Sequence, residues 1–192
     1  MKFSCKLFIL LVVFSGFVVA STAQQAGKEE VCYNPNLVKD TTKKSIKSMA
    51  VAVINGDSIK INYHSPGVRK RIIWGGLVPF GEVWVTGAHD ATTLEIEKSF
   101  IIGGKEIPAG KYAFFTIPGK NEWVVIINKQ WKQHLATEYD EKEDMVRIKV
   151  KPRKIMHTER LQYFVERTNG RNAKIAVAWE KIRIEFPIIF KG

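Results

Sequence analysis

The sequence is poor in cysteine and in long apolar runs. Two cysteines occur in 192 residues, Cys5 and Cys32. The one extended apolar stretch, residues 7–20, falls short of the roughly 20 residues a spanning helix needs. Lys2 and Lys6 precede it and Ser21-Thr22-Ala23 follow it. That is the charged, apolar, small-residue order of a secretory signal, so residues 1–23 are expected to be cleaved after Ala23. For a lipoprotein, Cys5 comes too early and Cys32, behind Glu29-Glu30-Val31, too late. Cleavage leaves Cys32 alone, which excludes an internal disulfide even in an oxidising compartment. A mature chain of about 170 residues can bury roughly 70% of its unfolded surface without one. No later run is long enough to span a bilayer, so the reading is one exported domain, periplasmic or extracellular, with no transmembrane segment after cleavage.

Acidic residues are also few, 19 against 30 Lys and Arg, for a formal charge of +11. Such a balance raises nucleic acid as a partner. The cations, however, alternate along strands, as in Arg147-Ile148-Lys149-Val150-Lys151, where they belong to a solvated sheet face. With no basic helix and no nucleic-acid module, that partner is excluded. Several catalytic signatures are missing too: H-E-x-x-H, His-x-His and the G-x-S-x-G elbow. Asp140-Glu141-Lys142-Glu143-Asp144 carries a lysine at a ligand position and no following glycine, so it reads as a charged loop and not a calcium site.

What is present is a series of short strands between Gly, Pro and Asn turns. Asn55-Gly56, Gly103-Gly104 and Pro118-Gly119-Lys120-Asn121 mark hairpins. Residues 58–63 alternate with Ile59, Ile61 and Tyr63 on one face. Residues 72–74 and 82–85 read as short strands, and residues 174–179 and 181–186 as the two arms of a last ribbon. Residues 129–144 form the one long non-strand segment. The expected organisation is a signal peptide over 1–23, a polar linker over 24–48 and a single β-domain over 49–192. The expected fold is all-β, an antiparallel β-sandwich or partly open barrel with one longer charged loop. Trp74, Trp84, Trp123 and Trp179 are expected to fill its core.

Six stretches carry a resemblance: Tyr63-His64-Ser65-Pro66-Gly67-Val68, Trp74-Gly75-Gly76-Leu77-Val78-Pro79, Val83-Trp84-Val85-Thr86-Gly87-Ala88-His89, Ile107-Pro108-Ala109-Gly110-Lys111-Tyr112, Phe115-Thr116-Ile117-Pro118-Gly119-Lys120 and Tyr139-Asp140-Glu141-Lys142. Together they are similar to a bacterial secreted family catalogued as domain of unknown function 2911, over about residues 50–190. The resemblance implies a secreted, sandwich-like β-domain with no established activity. Some members carry Arg where this chain has Ser65 and Val85, and Asn-Glu where it has His89-Asp90; this chain offers imidazole in their place.

His64, His89 and His134 fall at strand exits or in the long loop, where sites are built. Three neutral imidazoles and a water would make an open zinc-type site, so His64, His89 and His134 are the candidate ligands of a divalent metal such as zinc. Asp90, Glu138 and Asp140 are candidates to orient the rings. With Asp90, the same histidines are also the candidate ligand-binding residues of a pocket without metal, and separate structural histidines are the plain alternative. The leading expectation is a non-catalytic exported domain that binds a small molecule, glycan or envelope partner. One alternative is a metal-dependent hydrolase with Asp90 or Glu138 as general base; another is a structural envelope protein. Ser65 and Thr86 lack a nucleophile elbow, and no catalytic residue is assigned.

Overall fold

The computed structural model describes residues 42–191. The expected signal peptide, both cysteines and most of the expected linker lie outside the described residues. Ten antiparallel strands form two sheets. The first six-stranded sheet runs β1-β2-β3-β6-β7-β8, from β1 (Ser45–Ile54), β2 (Asp57–Pro66), β3 (Thr93–Ile96), β6 (Gly110–Ile117), β7 (Trp123–Asn128) and β8 (Asp144–Val150). The second runs β5-β4-β10-β9, from β4 (Phe100–Ile102), β5 (Lys105–Ile107), β9 (Arg153–Asn169) and β10 (Asn172–Phe190). The sheets do not close into a barrel, so of the two expected architectures this is the sandwich. Among the described residues no helix is long and apolar enough to cross a membrane.

Local chemistry accounts for the hairpins. Asn55 and Gly56 both take positive φ, 54° and 85°, between directly paired Ile54 and Asp57. That is the two-residue turn whose twist matches the flanking strands. Alternation then sends Ile59, Ile61 and Tyr63 of β2 into the core and leaves Lys60, Asn62 and His64 on the outer face. β1 begins at Ser45, four residues ahead of Met49.

Two expectations fail. Residues 172–190 are one strand, not a ribbon. Glu180 takes φ 54° at an irregularity in the β9–β10 pairing, and β10 continues past it still paired with β9. Ile175, Val177 and Trp179 face the core before this bulge, and Ile184, Phe186 and Ile188 face it afterwards. The extra residue changes the parity of the inward positions, which in the sequence looks like a turn. Residues 72–74 and 82–85 form no strands either. They are loop segments with isolated bridges only, Trp74 to Val78 within the loop itself and Trp84 to Thr116 of β6.

Between the sheets, Trp74, Trp84, Trp123 and Trp179 meet as expected. Trp74 approaches Trp123 edge-on at 4.9 Å between centroids, and Trp84 stacks on Trp179 at 5.7 Å. A second, smaller cluster of Val85, Ala91, Ala113, Phe115 and Ile126 lies apart from this core. Parts of the 83–91 segment and of the long loop, including Ala136 and Tyr139, pack on it. These two segments carry the candidate site.

Candidate functional site

His64 stands near the end of β2, on the outer face and opposite Lys47 of β1. The 84–89 segment passes over it. A Cβ on Gly87 would lie 3.1 Å from the His64 carbonyl oxygen and 2.9 Å from Thr92 Oγ1, so only glycine allows this approach. Three bonds set the path of the segment: the Trp84 indole N–H donates to the Gly87 carbonyl at 3.1 Å, the Tyr163 hydroxyl donates to the Thr86 carbonyl at 2.8 Å, and the Thr86 and Thr116 hydroxyls pair at 2.8 Å.

The segment then presents His89 in the left-handed region, φ 62°. This is an uncommon conformation for a non-glycine residue. The His89 carbonyl accepts from Leu135 N–H at 2.7 Å, and Ala91 N–H donates to the Gln133 carbonyl at 3.0 Å. These bonds clip the long loop onto the 89–91 turn and pair Asp90 with His134.

The result is a cluster. The His64 and His89 rings meet edge-to-face with centroids 5.0 Å apart. His134 Nδ1 lies 3.5 Å from Asp90 Oδ1. His64 is half-buried, and His89, Asp90 and His134 are exposed. Burial draws the His64 pKa below the ordinary imidazole value; His89, Lys47 and His134 push it the same way and Asp90 opposes them. His64 is therefore held neutral near pH 7, with one nitrogen able to donate and the other to accept. Gln133 Oε1, buried beside this turn, has no hydrogen-bond partner among the described residues.

The four candidate residues thus come together. Among the described residues, no three His, Cys, Asp or Glu side chains are arranged to hold a metal ion. The other acids are used elsewhere. Asp140 Oδ1 accepts from Lys142 N–H and caps a single 3-10 turn, Glu141–Glu143. Glu138 lines an open cleft of about 410 Å³ with Lys129, Gln130, Trp131 and Lys132. Ser65 and Thr86 are buried, and the Ser65 hydroxyl donates to the Leu161 carbonyl at 2.7 Å, a structural bond.

Sequence reasoning missed what holds the long loop. Asp144 accepts from Asn128 Nδ2 at 2.7 Å, from the Tyr139 hydroxyl at 2.6 Å and from Arg147 Nε at 2.6 Å, and Arg147 also donates to the Tyr139 hydroxyl. Burial and the Asp144 carboxylate push the Tyr139 pKa up to about 12.

A family model described as a protein of unknown function, DUF2911, matches residues 45–188. The chain belongs to the DUF2911 family. The match spans β1 to near the end of β10, so it takes in both sheets and all four clustered residues. No curated protein and no solved structure matches the chain.

Proposed function

We propose that this DUF2911 protein is an exported, non-catalytic binding domain, and that its ligand is a glycan or similar polyhydroxy molecule held at the rim of His64, His89, Asp90 and His134. The observation that carries the reading is the 5.0 Å edge-to-face approach of His64 and His89 beside the Asp90–His134 pair. A neutral imidazole both donates and accepts, and a carboxylate accepts. Sugar hydroxyls, which also do both, match that set. The rim stands on the end of β2 and on two loops bonded to the sandwich, the usual arrangement for recognition.

A second reading has one observation in its favour. Neutral imidazole is the metal-ligating form, and His64 is held neutral. In that reading His64, His89 and His134, which are not arranged around a metal in this structure, would have to draw together on a zinc-type ion, with Asp90, or Glu138 if it left its cleft, as base in hydrolysis.

Histidine ring NMR separates the two. Titration with neutral, amino and acidic saccharides should move the His64 and His89 signals, and the double variant His64→Ala/His89→Ala should abolish binding. Stoichiometric zinc uptake, lost in the same variant, would replace the glycan reading by the metal one. Ring signals indifferent to both would overturn both.

A further inference from the structure

The connection from β2 to β3 carries a second surface, unrelated to the histidines. Residues 69–80 read Arg-Lys-Arg-Ile-Ile-Trp-Gly-Gly-Leu-Val-Pro-Phe. The loop is firmly tied. Arg71 N–H donates to the Val68 carbonyl at 3.0 Å, Leu77 N–H to Ile72 at 3.0 Å, Val78 N–H to Ile73 at 2.9 Å and Gly75 N–H to Val78 at 2.9 Å. Ile73 and Val78 are buried in the main core and Trp74 packs against it.

A loop anchored this way has its inward positions filled, yet it turns three large apolar side chains outward. Ile72 is 79% exposed, Leu77 47% and Phe80 37%. All three belong to one tightly bonded turn: the Leu77 N–H bonds the Ile72 carbonyl, and the Phe80 ring lies 3.0 Å from where a Cβ on Gly75 would be.

Arg69 and Lys70, both exposed, form the tip of the preceding turn. Both have positive φ, 50° and 60°. Glycine or asparagine would hold such a turn with less strain. Arg69 Nη1 donates to the Thr42 carbonyl at 2.9 Å, which holds its guanidinium at the turn while further N–H groups remain able to donate.

The acids near this turn are few. Glu159 accepts from Arg69 N–H at 2.9 Å and faces His157 at 3.2 Å, and Glu82 follows the loop. The bond from Val68 N–H to the Glu159 carbonyl sets β9 beside the turn. Before Glu159, β9 carries exposed Lys154 and Met156, the latter 89% exposed.

We propose that this loop docks the protein on a bilayer of anionic phospholipid. Ile72, Leu77 and Phe80 enter the headgroup–acyl boundary while Arg69 and Lys70 meet the lipid phosphates. Rigid apolar side chains beside a basic collar match that boundary, since membrane affinity grows with apolar area buried and with charge attraction to anionic lipid. The net charge of +11, of which Lys2 and Lys6 take two away with residues 1–23 to leave +9, favours the same partner.

Vesicle co-sedimentation tests this with the chain lacking residues 1–23, so that the apolar leader does not itself partition. Wild type should sediment with phosphatidylcholine–phosphatidylglycerol vesicles and stay in solution with phosphatidylcholine alone. Arg69→Gln and Lys70→Gln should each weaken binding about fivefold. Ile72→Ser/Leu77→Ser should weaken it roughly tenfold or more, with an unchanged melting temperature. No sedimentation of wild type with the mixed vesicles would overturn the proposal. So would an Ile72→Ser/Leu77→Ser variant that binds like wild type, because binding would then be charge adsorption alone. If vesicles are ignored and size-exclusion shows a dimer that Ile72→Ser breaks, the loop is an interface between copies. None of these variants touches the histidine rim, so this test and the glycan test fail separately.

Discussion

The two faces of the six-stranded sheet are built differently. On the inner face, alternating strand positions supply Ile59, Ile61, Tyr63, Phe114 and Val125, and they pack with tryptophans from distant parts of the chain. On the outer face, the cover is irregular backbone, residues 83–91 and the long loop. Its path depends on individual torsions, Thr86 at φ 49°, His89 at 62° and Leu135 at 52°, and on single polar bonds. The inner face is decided by volume and burial. The outer face is decided by conformation, and that is where the candidate site lies. One class of substitution should therefore damage stability alone, and another should damage the site with little loss of stability.

The largest effect should come from the inner face. Trp179→Ala removes a side chain 2% exposed that contacts two other tryptophan rings. A loss of about 3–5 kcal/mol is expected in denaturant unfolding, the usual cost of such a cavity. A loss below about 1 kcal/mol would remove the contrast between the faces. Next comes Gly87→Ala, whose Cβ would press on Thr92 Oγ1 and the His64 carbonyl. It should cost about 1–3 kcal/mol as overpacking and displace the His64 ring signals.

The inner face is the part most legible in the sequence. Residues 58–63 alternate openly, and Asn55-Gly56 and Gly103-Gly104 turn where their chemistry says they should. The reading failed where irregularity imitates a boundary. The bulge at Glu180 changes parity as a hairpin would, and residues 72–74 and 82–85 have strand composition but form only local turn bonds or, at Trp84, a single isolated bridge to Thr116. Of the site, the histidines were legible as unusual residues at strand exits. Asp90 was legible as a candidate partner and Lys47 opposite His64 follows from the Asn55-Gly56 hairpin register, but the pairing of Asp90 with His134 across more than 40 residues is a long-range fact that no local pattern encodes. The Asn128–Asp144–Tyr139–Arg147 network escaped notice because its members look like ordinary loop polars.

That network gives a pH effect of intermediate size. The folded-state pKa of Tyr139, about 12, lies above its ordinary value of 10.0. The folded chain therefore holds this proton more tightly than the unfolded one, and the contribution is complete below pH 10 and lost as pH rises toward 12. Unfolding midpoints should fall across that interval, and Tyr139→Phe should flatten the fall. The smallest effect is expected from His89→Gly. Glycine relieves the positive φ, so stability should hold or rise by up to about 1 kcal/mol while ligand binding at the rim is lost.

The central claim is that imidazoles and a carboxylate far apart in sequence share one rim. It is tested most directly by ring-proton NMR titration of His64 in wild type, His89→Ala and Asp90→Asn. The wild-type pKa should lie below 6.5, with burial the main cause and His89 adding to it. With the folded value depressed, the His64 contribution to stability is present above pH 6.5 and lost as pH falls through the folded pKa. His89→Ala should move the His64 pKa up, and Asp90→Asn should move it down, opposite shifts that only a shared environment produces. An unshifted His64 that titrates identically in all three proteins would contradict the account.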